Sequence, residues 1–139
     1  MNHSFEQSIR DVLTQQRTAY HRHPVPSYAE RIADLNHLAQ FLREYSQDII
    51  EAIDQDFGHR SSHETQLCEI LPLMDEIKHA KKLLKQWMRS QKRSVNLKQF
   101  FGARNSVLPQ PLGVIGVIVP WNFPLFLSLG PLVSIFASG

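Results

Sequence analysis

Residues 114–124 read VIGVIVPWNFP. Val114 to Val119 is a continuous apolar run without a charge. Such a run is expected of a parallel β-strand covered on both faces, since a half-exposed strand alternates apolar with polar residues. Pro120 ends the strand and Pro124 closes a loop, because proline cannot donate to a ladder. Leu125 to Ser138 reads as a helix, interrupted near Gly130 and Pro131. Strand, loop and helix in this order open a βαβ unit, and the fold class is therefore α/β. The loop falls at the carboxyl end of the strand, where open α/β sheets bind their ligands.

Upstream the period changes. Val95, Leu97, Gln99 and Phe101 alternate within Ser94–Phe101, Gly102 follows, and Asn105–Leu108 reads as the return strand of a β-hairpin. Pro109 and Pro111 end that pairing. Before it, apolar residues recur at helical spacing. A first helix is expected over about Phe5–Tyr20, with Phe5, Ile9, Val12, Leu13 and Tyr20 near one face. A second runs from Tyr28 to about Asp56 on the stripe Ile32, Leu35, Ala39, Leu42, Ile49 and Ile53, with Gly58 placed for a left-handed C-cap. A third, from about Ser62 to Arg89, turns Leu67, Ile70, Met74, Ile77, Leu84 and Trp87 inward, and Pro72 predicts a kink or break inside it. Each start carries a capping-box pair: Ser4 with Gln7, Ser27 with Glu30, and Ser61 with Glu64. The boundaries so read are a helical region over 1–92, a hairpin over 93–111 and the strand–helix unit over 112–139.

The chain has 139 residues, 42% hydrophobic and 20% charged, which suits one globular core. A formal net charge of +2 calls for no nucleic-acid partner. Charge stops at Arg104, and Leu112 to Gly139 carries none. That stretch is long enough to cross a bilayer once. Pro120, Pro124, Pro131 and a mid-span Asn122 would leave backbone groups unsatisfied in lipid, so no membrane anchor is expected. The single cysteine, Cys68, excludes an internal disulfide framework and fits a reducing, cytoplasmic setting. MNHSFEQSIRDV at the start has no apolar signal core, which argues against secretion.

The segment PLGVIGVIVPWNFPLFLSLGPLVSIFASG, residues 111–139, resembles the first strand–helix unit of the cofactor domain of NAD(P)-dependent aldehyde dehydrogenases. DFGHRSSHET at 56–65, RSVNL at 93–97 and PQPLGV at 109–114 are similar to the coniferyl aldehyde dehydrogenase branch of that family. The resemblance implies N-terminal helices, a β-hairpin of an oligomerisation element and the opening of a Rossmann-type cofactor domain. It implies oxidation of a small-molecule aldehyde, coniferaldehyde or another aromatic one, to a carboxylate. NAD is favoured over NADP, and a homo-oligomer, dimer or tetramer, is expected. In such enzymes a cysteine thiolate attacks the aldehyde carbonyl, and placed donors hold the resulting alkoxide. Hydride then passes to the nicotinamide, and water hydrolyses the thioester that is left. By its place in the motif, Asn122 corresponds to the oxyanion-hole residue. A carboxamide suits the task because it is neutral and donates two hydrogen bonds. The resemblance further implies that Val119, Pro120, Trp121 and Asn122 line the cofactor site, with the prolines stiffening the loop. The family's catalytic cysteine, its water-activating glutamate and its ribose-contacting lysine would fall beyond Gly139, so residues 1–139 alone are expected to be inactive.

Other residues offer competing readings. Taken singly, Asn122 suits a helix cap or turn, and Trp121 a core aromatic. Cys68 stands on the apolar side of the third helix and is expected to be a buried structural thiol. His59 and His63 are four apart beside Glu64, but Gly58 and a cap at Ser61 keep them off one helix, so no metal site is expected. The cations from Lys78 to Arg93 read as a solvated helix face rather than a nucleic-acid surface. Gly113 and Gly116 do not complete a dinucleotide fingerprint. The alternative function class is a non-catalytic assembly or binding module derived from the same family.

Overall fold

The computed structural model describes residues 3–139, with side chains from Glu6 onward. The expectations for Ser4 and Phe5 rest on side chains outside that range. The elements are α1 (His3–Arg22), α2 (Tyr28–Glu44), α3 (Ser46–Phe57), α4 (Ser62–Thr65), a π-helical turn (Gln66–Ile70), α5 (Leu71–Trp87), β1 (Gln91–Arg93), β2 (Asn105–Val107) and α6 (Pro124–Ser138).

Helix α2 starts on a complete capping box. The Glu30 amide donates to Ser27 Oγ, and the Ser27 amide donates to Glu30 Oε2 at 2.7 Å. The expected single helix to Asp56 is instead two, broken at Tyr45, whose ψ of 13° opens the turn before Ser46. Ser46 Oγ donates to the Arg43 carbonyl at the break. A serine that bonds its own backbone competes with the helix ladder. Helix α3 then ends at Gly58 in the left-handed region (φ 61°), as its position predicts.

The expected third helix exists, and Pro72 marks its irregularity. The chain does not break there. Before the proline it widens into a π turn, in which the Leu71 amide donates to the Gln66 carbonyl. Proline has no amide for the fourth carbonyl back and its ring crowds that carbonyl; the wider turn relieves both. The buried residues along this third helix are Thr65, Glu69, Ile70, Leu73, Ile77, Ala80 and Leu84, of which Ile70, Ile77 and Leu84 were expected inward. Leu67 and Trp87, expected inward, are 64% and 43% exposed. Cys68, expected to be buried, is exposed. Ser61 makes no capping bond, and Glu64 lies 3.3 Å from Arg60 Nη2.

The core is a three-helix layer. Leu35, Leu38 and Leu42 of α2 meet Leu73, Ile77 and Leu84 of α5 and Val133 and Ala137 of α6. Each fully buried leucine contributes roughly 1.5–3 kcal/mol. Arg31, buried at the start of α2, donates from Nε to the Pro26 carbonyl and from Nη1 to the Ala137 carbonyl at the end of α6, both at 3.0 Å. Burial pushes its pKa down. Helix α6 runs unbroken through Pro131, contrary to the expected interruption. Pro131 is exposed, so its ring lies on the solvent side of the helix.

Helix α1 does not join this core. Ile9 and Val12 are half exposed; the helix borders the chain at Val114–Gly116, and Tyr20 at its end donates to the Pro111 carbonyl at 3.4 Å. The hairpin forms, with Gln91, Lys92 and Arg93 opposite Val107, Ser106 and Asn105 in antiparallel register. Its first strand is not Ser94–Phe101. Asn96 turns that stretch: its Oδ1 accepts from the Lys98 amide and its carbonyl from the Phe100 amide, an Asx-type turn that competes with the ladder. Val114–Val119 is extended but is not a strand, and it makes no backbone–backbone hydrogen bond among the described residues. A parallel strand needs a partner reached through a crossover, and α6 occupies 124–138. Gly113 (φ 96°) bends the chain into this segment over Tyr20, whose ring would touch a side chain there.

Candidate functional site

The segment 119–126 joins the extended chain to α6. Val119 is half-buried, while Pro120, Trp121 and Asn122 are exposed. The Trp121 ring tilts against Phe57 with centroids 6.1 Å apart. Phe123 is the N-cap of α6 and has no side chain that can cap it. The open amides of the first turn are satisfied from elsewhere: Leu125 and Phe126 donate to Glu69 Oε2 at 2.8 and 3.0 Å. A carboxylate there also meets the positive end of the helix dipole.

Glu69 lies on the π turn and has no exposed surface. Its second oxygen, Oε1, is 3.3 Å from Arg60 Nη1. The same Nη1 donates to the Asn122 carbonyl at 3.0 Å. The guanidinium carbon lies over two rings, 4.9 Å from the Phe57 centroid and 4.6 Å from the Phe123 centroid. The left-handed pair Gly58 and His59 (φ 61° and 85°) turns the chain after α3 so that Arg60 enters beneath Phe57. That turn also keeps His59 off the helix that carries His63. Arg60 Nε and Nη2 and Glu69 Oε1 lack hydrogen-bond geometry with any described residue. The contacts at 3.3 Å are therefore ion pairs between groups held by packing.

The two sides of Asn122 differ. Its backbone is held from behind by Arg60. Its carboxamide makes no hydrogen bond among the described residues and faces outward. It does not cap α6, because Glu69 takes those amides. For the same reason the start of α6 is not an open anion site of the usual kind. What remains is a presented neutral donor at the end of an extended apolar segment.

Arg60 and Glu69 escaped the sequence reading. The signal was there for Glu69: a carboxylate four residues before Leu73 and eight before Ile77 sits on the core stripe, where a charge needs a partner.

The profile of the aldehyde dehydrogenase family matches residues 2–139. A Pseudomonas aeruginosa protein named "Probable coniferyl aldehyde dehydrogenase" is 48% identical over 94% of this chain, which spans 27% of that protein. The "Coniferyl aldehyde dehydrogenase" of a Pseudomonas species is 39% identical over 78% of the chain and 22% of its own length. A solved structure of Staphylococcus aureus AldH in a substrate-bound state superposes with a TM-score of 0.85 at 26% identity, over 100% of this chain and 29% of that one. The chain thus spans about a quarter of the length of these relatives.

Proposed function

This chain belongs to the aldehyde dehydrogenase family, and on that premise we propose that it is the N-terminal part of an enzyme oxidising an aldehyde to its carboxylate. An aromatic aldehyde such as coniferaldehyde is the proposed substrate, supported by the names of the relatives. The observation that carries the reading is the free carboxamide of Asn122 on a backbone fixed by Arg60. Its Nδ2 donates to the carbonyl oxygen of the bound aldehyde as charge develops there, where a preorganised donor is worth most. Being neutral, it holds that oxygen without proton transfer.

Val119, Pro120 and Trp121 fit a nicotinamide cofactor, since they present an extended apolar edge with an exposed indole ring and unpaired backbone groups. NAD, favoured over NADP, supplies the hydride acceptor when bound. The proposed boundaries keep β1 whole, moving the first from 92 to 90: a helical region over 1–90, a hairpin over 91–111 that serves oligomerisation, and the cofactor domain from 112. A homo-oligomer is proposed with them. The unpaired thiol of Cys68 supports a reducing, cytoplasmic setting. No helix among the described residues is long and apolar enough to cross a membrane.

The test is Asn122→Ala in the full-length protein, assayed with NAD and coniferaldehyde. Turnover should fall about 10²–10³-fold, as for loss of an oxyanion donor. A loss below about tenfold in a folded variant removes Asn122 from the role.

A further inference from the structure

We propose that Arg60 and Glu69 are positioning residues for the reaction: together they fix where the Asn122 carboxamide is presented. The inference rests on the reading of Asn122 as the donor to the aldehyde oxygen. It explains why two ionisable side chains, 8% and 0% exposed, lie beneath a loop made otherwise of apolar residues.

The geometry gives each a separate task. Glu69 Oε2 gathers the Leu125 and Phe126 amides and so sets the origin and direction of α6 on the far side of Asn122. Arg60 Nη1 holds the Asn122 carbonyl itself. The two are joined through Nη1 and Oε1 at 3.3 Å, and the guanidinium packs over the Phe57 and Phe123 rings. The loop is thereby tied at residues 122, 125 and 126 to one ion pair whose members lie on the α3–α4 connection and the π turn. The prolines at 120 and 124 restrict φ, but they supply no bond from the loop to the rest of the molecule. A donor displaced by about 1 Å can lose about 10²-fold in rate, so a tether of this kind is visible in turnover.

The experiment is a mutant cycle in the full-length enzyme with NAD and coniferaldehyde, run well below each variant's melting temperature. Arg60→Met should lower kcat about 10- to 100-fold while KM for NAD stays unchanged. In an Asn122→Ala background the same substitution should lower kcat no further, because the group it positions is gone. An equal factor in both backgrounds overturns the proposal, since Arg60 would then act only through general stability. If Arg60→Met does not fold, Glu69→Gln replaces it, keeping an oxygen for the two amides while losing the charge that faces Arg60. It should show the same non-additivity, and additivity overturns the proposal equally. The Asn122→Ala variant taken alone reports on the donor role, so failure of that reading is separately visible.

Discussion

Arg60 and Glu69 matter to stability as well as to placement. Removing one member of a buried ion pair leaves the other uncompensated, at a cost of about 3–5 kcal/mol. Glu69→Leu should therefore destabilise the protein by up to roughly that amount, because it leaves Arg60 with only the half-exposed Glu64 as counter-ion and two helix amides without an acceptor. Denaturant melts measure it, and a change under about 1 kcal/mol would mean that Arg60 finds water. The Glu30 box makes a different kind of prediction. Hydrogen bonds from Ser27, side chain first and then backbone, and the nearby His23 lower the Glu30 pKa from 4.5 to about 2. A carboxylate with a depressed folded-state pKa stabilises above its unfolded pKa and loses that contribution as pH falls through the folded one. The box should thus be fully effective above about 4.5 and spent near 2. Melts of wild type and Glu30→Gln should converge across that window on acidification; parallel curves would show that the box does not titrate with folding.

At the scale of elements, the cap at the end of α3 isolates a backbone effect. Gly58 has φ 61° and open space where a Cβ would stand, so Gly58→Ala meets no clash. Its cost of about 1 kcal/mol is conformational, and an unchanged denaturation midpoint would refute it. That cap, the start of α2, the existence of the hairpin and the helix after Pro124 were all legible in the sequence, because each is written in local chemistry. In the third helix Ile70, Met74, Ile77 and Leu84 were legible as inward, and the two ends of the stripe were not. Apolar spacing favoured Leu67 and Trp87, yet Thr65 and Glu69 fill the inward positions, since Glu69 finds partners on α6 and at Arg60. The Val114–Val119 strand failed for a related reason: pairing depends on a distant segment, and nothing in the run itself supplies it. The motif singled out Asn122 and Trp121 as candidates, while the Arg60–Glu69 pair beneath their loop depends on contacts more than fifty residues away.

At the scale of the whole molecule, the surface is unfinished. Ile118 is fully exposed, Phe101 98%, Leu112 89% and Trp121 79%. Soluble monomers rarely leave contiguous apolar patches beyond a few hundred Å². Residues 1–139 expressed alone should therefore bind an apolar dye and self-associate in sedimentation; a clean monomer that ignores the dye would contradict this. The bond between Glu69 and Leu125 spans 56 residues, and this has a consequence in time. A ribosome adds roughly 5–20 residues per second, so Glu69 emerges on the order of seconds before the amides it serves. Until then the π turn ahead of α5 carries a charge whose two amide partners do not yet exist. Burying that carboxylate against its amides and setting the start of the helix that follows the Asn122 loop therefore rest on the same two bonds.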